Sequence, residues 1–134
     1  VVRVRGQSLH LAGVDDLHYG ADLARAMRGI RADAATVLLS HQPGILRQAA
    51  RARVGLVLSG HTHGGQVRLP AVNGMREEST ARRRRFQSGL DAMGSTQIYV
   101  SRGIGTVVVP LRYRCPAEIP VFHLEPQSFA SDFA

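Results

Sequence analysis

Three histidines in two short motifs are the residues of this sequence whose types and spacing could bind a metal ion. His41 lies in Ser-His-Gln-Pro at 40–43, and His61 and His63 lie in Gly-His-Thr-His-Gly-Gly at 60–65. Neutral imidazole nitrogens are ligands for Zn, Mn and Fe. Two histidines spaced i, i+2 at a strand end point to one side, since side chains alternate along a strand. The two motifs therefore predict a metal site.

Each motif by itself also has an ordinary structural explanation. A single histidine after a strand, such as His41, is more often a hydrogen-bonded loop residue than a ligand, and a His-x-His pair is only moderately specific. The neighbouring glycines could be plain turn residues. Both motifs together, each after an apolar strand, are much more specific than either alone. His10 and His123 fall within predicted strands and are expected to be structural.

The elements that would position these motifs are two apolar strands joined by a helix. Unbroken apolar runs at 36–39 and 54–58 predict the strands, and Pro43 occupies a position where a helix start tolerates proline. This order predicts a parallel βαβ crossover in a layered α/β fold. Ligands collect beyond the carboxyl ends of such strands, so both histidine motifs are expected at one edge of the sheet.

The remaining sequence predicts further short elements around this unit. Before the crossover we expect a hairpin and a helix, and after it a long connection followed by three strands. The predicted ranges are 1–5 and 8–14 for the hairpin, 22–30 for the helix, 66–95 for the connection, and 97–101, 106–109 and 119–124 for the late strands.

Composition excludes several classes of protein. The 134 residues carry a formal net charge of +7, all 17 basic residues are arginine, and the single cysteine, Cys115, excludes a disulfide framework or a multi-cysteine zinc site. No apolar run reaches the roughly 18 residues of a membrane span. The run Arg82–Arg85 could bind phosphate charge, but it lacks interleaved aromatic residues, which favours a solvated surface segment over a nucleic-acid site.

Several stretches of the sequence resemble the calcineurin-like metallophosphoesterases, in particular a bacterial branch whose members are often membrane-anchored or exported. The two histidine motifs look like the last two metal motifs of that family. Four further stretches also match: Gly-Val-Asp-Asp at 13–16, Tyr-Val-Ser-Arg-Gly-Ile-Gly at 99–105, Pro-Leu-Arg at 110–112 and Cys-Pro-Ala-Glu-Ile at 115–119. The resemblance covers most of the chain and is weakest between Met75 and Met93.

The resemblance implies an α/β sandwich of two mixed sheets flanked by helices, and a binuclear site that hydrolyses phosphomonoesters or phosphodiesters. Two divalent ions (Mn, Zn, Fe or similar) would share a bridging carboxylate, clamp the phosphate and activate a water molecule. By position in the motifs, His41 and His61 would bind one ion and His63 the other. The phosphoester would be the substrate.

The sequence departs from the family in its acidic motifs. Neither Gly-Asp-x-x-Asp nor Gly-Asn-His is present, and Asp16-Leu17-His18, although it matches Asp-x-His as a string, is interpreted as a loop coincidence. Three histidines without a matched carboxylate would leave the charge of two ions uncompensated. We therefore expect residues 1–126 to be the carboxyl-terminal portion of a phosphoesterase domain that lacks its full catalytic site. Within this portion, residues 69–95 are expected to be a mobile loop, and 127–134 a frayed tail.

The same expectation defines the partners. A separate amino-terminal half would supply the missing Asp, Asn and His ligands, and any membrane anchor would lie in that upstream segment. The chain begins with Val1 rather than Met, which also favours a piece of a longer protein. The sequence leaves the compartment open between cytoplasmic and membrane-associated or exported.

Two arginines are candidates for binding the phosphate, because a guanidinium offers two parallel donors to its oxygens. Arg112 is the first candidate and Arg102 the second. The alternative is that each pairs with a carboxylate such as Glu118 or packs its stem at the surface. Cys115 has no base near it in sequence and is expected to be structural.

A second hypothesis comes from a different class of protein. The chain could be a stand-alone, non-catalytic product that binds a partner or an anionic ligand through its arginines. An in-frame upstream extension with Asp-x-His and Gly-Asn-His would remove this alternative. A third hypothesis, nucleic-acid binding through Arg82–Arg85, predicts an affinity that falls steeply with salt.

Overall fold

A computed structural model describes residues 1–68 and 86–125. Within them the chain forms six strands and two short α-helices, in an α/β fold as the sequence predicts. The strands are β1 (Val2–Val4), β2 (Gln7–Gly13), β3 (Thr36–Leu39), β4 (Leu56–Ser59), β5 (Gly89–Met93) and β6 (Thr96–Val100), and the helices are α1 (Leu23–Ala26) and α2 (Leu46–Arg51).

The strands form one mixed sheet in the order β1-β2-β3-β4-β6-β5. The four central strands β2, β3, β4 and β6 are parallel, and the outer strands β1 and β5 each run antiparallel to their neighbour. The predicted hairpin and the predicted mixed sheet are therefore confirmed. A second sheet is not found among the residues that the structure describes.

The βαβ crossover that precedes the histidine motifs is confirmed. A 3-10 turn, Pro43–Ile45, begins after the three residues 40–42 that follow β3, and it continues into α2. The strand β4 then lies parallel to β3 with Leu39 opposite Leu58. Proline fits this turn because the first residues of a helix need no amide donor. The core lies between α2 and one face of the sheet, and its most buried side chains are Leu38, Ile45, Leu46, Ala49, Val54, Val57, Ile98 and Val100.

The opposite face of the sheet carries apolar side chains that remain exposed. Leu11 on β2, Leu39 on β3 and Leu90 on β5 are 53%, 42% and 67% exposed. Phe122 packs edge-on against Tyr99 of β6, with ring centroids 5.1 Å apart. Residues 101–125, called the late chain below, therefore cover part of this face. Parallel strands are normally covered on both sides.

Two predicted strands are wrong. Residues 106–109 and 119–124 belong to no strand. In the first, the amide of Val107 donates to Oε1 of Gln66 at 2.7 Å, and Nε2 of Gln66 donates to the carbonyls of Val107 and Val109 at 3.0 Å. A side chain therefore provides the hydrogen-bond partners that a neighbouring strand would provide. In the second, Ile119 and Val121 are 78% and 93% exposed.

Two other predicted ranges are corrected in length. The helix expected over 22–30 is only the single turn α1, which Asp22 caps by accepting from the amide of Arg25 at 2.8 Å. The connection expected over 66–95 contains β5 at its end. Its residues 69–85, with Arg82–Arg85, and the expected tail at 127–134 lie outside the described residues. Both α-helices of the described ranges are far shorter than the roughly 18 residues of a membrane span, so these ranges hold no candidate span.

Candidate metal centre

His41 and His61 lie side by side at the carboxyl edge of the sheet. The amide of Ser40 donates to the carbonyl of Leu58 at 3.1 Å, and the amide of Gly60 donates to the carbonyl of His41 at 3.2 Å, so the ladder between β3 and β4 continues into both motifs. This pairing carries the two histidines to the same edge. The sequence predicted their proximity from the parallel arrangement of the two strands.

The two ring nitrogens that face each other are at hydrogen-bond distance. Nε2 of His41 lies 2.9 Å from Nδ1 of His61, and the rings meet edge-on with centroids 4.7 Å apart. Two imidazole nitrogens bound at about 2.0–2.1 Å to one tetrahedral ion are about 3.3–3.4 Å apart, so the rings would separate slightly to hold an ion between them. Both side chains are exposed, so the pair is open to an ion from solution. The residues present fit one divalent ion at this point.

His63 occupies the first position of a second 3-10 turn, His63–Gly65. Its Nδ1 lies 3.2 Å from the carbonyl oxygen of Gly105, which can only accept, so in the neutral ring Nδ1–H donates and the lone pair remains on Nε2. This is the usual arrangement of a metal-binding histidine, in which the outer nitrogen is held by an acceptor. Thr62 stabilises the turn, because its hydroxyl accepts from the amide of Gly64 at 3.2 Å and donates to the carbonyl of Gln87 at 2.5 Å.

The loop at residues 60–66, called the histidine loop below, has a left-handed backbone at three residues that are not glycine. The φ angles are 67° at His61, 50° at His63 and 47° at Gln66. Such conformations cost free energy and persist where surrounding contacts enforce them. All three lie in the six-residue stretch 61–66, which contains two of the predicted ligands.

The described residues contain no group of three or more histidine, cysteine or acidic side chains that could hold an ion together. The structure thus brings His41 and His61 together and leaves His63 separate from them. The roles of these three histidines as metal ligands stay a prediction.

Gln42 and Asp16 anchor the loop that carries His41 through a contact that the sequence did not predict. Nε2 of Gln42 donates to Oδ2 of Asp16 at 2.5 Å, and Oε1 of Gln42 accepts from the amide of Leu17 at 2.9 Å. The hydrogen bond from Gln42, followed by that from the amide of His18, holds the pKa of the Asp16 carboxyl below its ordinary value of 3.8. Asp16 thus lies in a loop that is hydrogen-bonded to the residue next to His41.

Arg102 is paired with a carboxylate, which is the alternative that the sequence left open. Its Nε donates to Oε2 of Glu118 at 2.7 Å, its Nη2 contacts the same oxygen, and its backbone amide donates to Oε1 at 2.8 Å. The Oη of Tyr99 also donates to Oε1 at 3.2 Å. The two donors expected to hold a phosphate are therefore engaged by Glu118.

Arg112 is also engaged, but by backbone carbonyls rather than by a carboxylate. Its Nη1 and Nη2 both point into the loops beside the histidine motif. Their acceptors are the carbonyl oxygens of His63, Arg102, Gly103, Gly105 and Cys115. The sequence could not predict this contact, because backbone carbonyls carry no side-chain signature. These contacts connect the loops beside the histidine motif, and the role of Arg112 toward phosphate stays a prediction.

The sequence of this chain is similar to those of several known proteins. The chain is 35% identical over 121 residues to the uncharacterized metallophosphoesterase YkuE of Bacillus subtilis, a match that covers 90% of this chain and 42% of the relative. It is 39% identical over 120 residues to a transmembrane protein with metallophosphoesterase domain of Bos taurus (81% and 26%), and 30% identical over 124 residues to the phosphodiesterase YaeI of Escherichia coli (92% and 44%).

These matches span most of this chain but less than half of each relative. No family model and no solved structure matches the chain. Curated metallophosphoesterases from bacteria and animals nevertheless align with it over the region that contains both histidine motifs. The chain belongs to the metallophosphoesterase family.

Proposed function

We propose that this chain supplies part of the active site of a metal-dependent phosphoesterase, which hydrolyses a phosphomonoester or a phosphodiester. The observation that carries the proposal is the His41–His61 pair, with nitrogens 2.9 Å apart at the carboxyl edge of a parallel sheet. The names of the relatives support the same class of reaction. A divalent metal ion bound there would polarise the phosphoester and lower the pKa of a coordinated water molecule.

The chain's own residues would bind and orient in this site. His41 would present Nε2 and His61 would present Nδ1 to one ion, whereas His63 would present Nε2 to a second. The hydrogen bond from the His63 ring to Gly105 would fix the direction of its lone pair. In the metal-free pair one of these two nitrogens donates to the other, so binding an ion through both would require the donor ring to take its other neutral tautomer.

We further propose that residues outside this chain supply the carboxylates. Three neutral imidazoles compensate none of the charge of two divalent ions, and the described residues contain no group of three or more histidine, cysteine or acidic side chains that could hold an ion. The carboxylate of Asp16, in the loop that contacts Gln42, already accepts from the Gln42 side chain. The matches leave more than half of each relative unaccounted for, which provides room for such a segment. An upstream half with these ligands would make the present chain the carboxyl-terminal portion of the domain.

The test is a metal titration and a phosphoesterase assay on the protein joined to its upstream segment. With Mn or Zn, we expect hydrolysis of a model phosphodiester or phosphomonoester. His61→Ala should lose at least about 100-fold in kcat/KM, because removing a ligand displaces the ion. His123→Ala is the matched control, since His123 is an exposed histidine of the late chain. Full activity in His61→Ala, or no hydrolysis with any divalent metal, would contradict the proposal.

A further inference from the structure

We propose that Arg112 is a positioning residue, which holds His63 in the orientation and the tautomer that a metal ligand requires. The inference rests on the proposed function, because it concerns one ligand of the proposed site. It replaces the expectation that Arg112 binds the phosphate directly. Arg112 would act on His63 through the backbone carbonyls to which its guanidinium donates.

The guanidinium of Arg112 joins three segments that meet beside the histidine loop. Nη1 donates to the carbonyl of His63 at 3.2 Å, and Nη2 donates to the carbonyl of Arg102 at 2.7 Å and to that of Gly103 at 3.1 Å. Nη1 also contacts the carbonyl of Cys115 at 3.3 Å. These contacts engage both terminal nitrogens, so neither is free for a phosphate, and the third nitrogen, Nε, is buried without a hydrogen-bond partner.

Two of the carbonyls act directly on His63. One is the carbonyl of His63 itself, and the other is that of Gly105, which also accepts from Nδ1 of the His63 ring. Arg112 therefore fixes the backbone of the histidine and the acceptor that selects its tautomer. With Nδ1–H directed to Gly105, the lone pair of the ring remains on Nε2.

His63 needs such a contact because its backbone is unfavourable. Its φ of 50° is left-handed, and the next residue, Gly64, has a φ of 64°. A non-glycine residue in this region is strained and relaxes unless neighbouring groups oppose it. The buried thiol of Cys115 adds a weak donor to the carbonyls of His63 and Gly64, at 3.3 Å each.

A lysine could not replace this arrangement. The ammonium of lysine is a point charge without the planar geometry of a guanidinium, whereas Arg112 reaches carbonyls on both sides with two nitrogens. Arg112→Lys therefore keeps the charge and removes the bridge. A residue that attracts phosphate mainly by charge would retain much of its effect in the lysine variant, which separates the two roles.

The first measurement is the tautomer of His63 in the metal-free joined protein, by nitrogen-15 NMR of the histidine side chains, with His63→Gln to assign the signals. We expect the Nδ1–H tautomer in the unmodified protein and a mixture of tautomers in Arg112→Lys. An Nε2–H tautomer at His63 in the unmodified protein would overturn the proposal, whether or not any variant folds. This readout needs neither metal nor activity, so it can fail or succeed independently of the proposed function.

The second measurement is the binding of Mn or Zn by calorimetry, together with kcat and KM. Arg112→Lys should lower the binding affinity for one of the two ions by about 10- to 100-fold, the effect typical of residues that hold a metal ligand in place. It should also lower kcat with little change in KM. In a His63→Ala background it should change the metal affinity no further. Arg47→Lys, at an exposed position of α2, is the control. A higher KM with unchanged metal affinity in Arg112→Lys would instead identify a phosphate ligand and overturn the proposal.

Discussion

At the scale of single residues, the histidine loop depends on one glycine that has no room for a side chain. A Cβ on Gly64 would lie 2.6 Å from Cγ of Arg102 and 2.7 Å from Sγ of Cys115. Neither neighbour is free to move, since Arg102 is held by Glu118 and Cys115 is buried. The left-handed φ of Gly64 adds a second reason why only glycine fits.

Gly64→Ala is therefore expected to destabilise the protein by about 2–4 kcal/mol, through the close contacts and the backbone strain together. Urea unfolding followed by circular dichroism measures the change. Gly60→Ala is the matched control in the same motif, because a Cβ there meets nothing within 4 Å and its φ is not positive. Equal stability of the two variants would show that the loop adapts to a side chain at 64.

Glu118 links the strand β6 to the late chain, and its ionisation should contribute to stability. The Arg102 guanidinium beside it holds the pKa of the Glu118 carboxyl below its ordinary value of 4.5. A carboxyl whose pKa is lowered by folding stabilises the protein above its unfolded pKa, and this contribution disappears as the pH falls through the folded pKa. The unmodified protein should thus lose stability below about pH 4.5.

Glu118→Gln should lower the free energy of unfolding at pH 7 by about 1–2 kcal/mol, because it removes charge-assisted hydrogen bonds from Arg102. It should also show a smaller loss of stability on acidification, as measured by thermal unfolding from pH 3 to pH 7. Asp33→Asn is a control that breaks the exposed pair of Asp33 with Arg31 at 2.7 Å, and its effect should be much smaller because water screens that pair. An identical pH profile in Glu118→Gln and the unmodified protein would refute the assignment.

At the scale of elements, the crossover from β3 through α2 to β4 sets the positions of His41 and His61. Leu46 on α2 is 2% exposed and packs in the core, whereas its neighbour Arg47 points to solvent. The separation of the two histidines therefore depends on how α2 packs against the sheet. A cavity under α2 should affect the stability of the protein and the geometry of the site together.

Leu46→Ala is expected to destabilise the protein by about 2–5 kcal/mol and to weaken the binding of the first metal ion, because the cavity loosens the crossover. Arg47→Ala should change the stability by less than about 0.5 kcal/mol. Urea unfolding and metal calorimetry on the two variants provide the comparison. If Leu46→Ala leaves the stability unchanged, α2 does not support the core in the way that its burial indicates.

The elements that the sequence predicted are those fixed by local patterns. The apolar run 36–39 and Pro43 specify β3 and the turn after it, and the parallel crossover then places His41 near His61. The strand expected at 106–109 failed for a non-local reason. Its valines have high strand propensity, but their backbone groups bind the side chain of Gln66, some forty residues earlier in the chain.

The candidate site shows the same division between local and non-local information. The proximity of His41 and His61 followed from strand direction, whereas the contacts of Arg112 depend on how two later loops fold back onto the histidine loop. Donors are visible in a sequence, but backbone acceptors are not, because every residue carries one. The alternative named for Arg102 could be predicted since Glu118 is a charged partner with its own signature.

At the scale of the whole molecule, the exposed face of the sheet bears on the proposed upstream half. Leu11 and Leu39 lie on the side of the parallel strands opposite α2, where water would contact apolar surface. Parallel sheets are normally covered on both faces, so a second layer over these residues would stabilise the domain. A segment that contributes the missing carboxylates at the sheet edge is well placed to contribute this layer as well.

Leu39→Asp in the joined protein tests that arrangement. If the upstream half covers this face, the aspartate becomes buried without a partner, and the free energy of unfolding should fall by about 2 kcal/mol or more. Arg3→Asp is the control, since Arg3 is an exposed position on the edge strand β1 and the substitution also places aspartate in a strand. Urea unfolding compares the two variants. Equal losses in Leu39→Asp and Arg3→Asp would mean that the face stays open to water and that the upstream segment packs elsewhere.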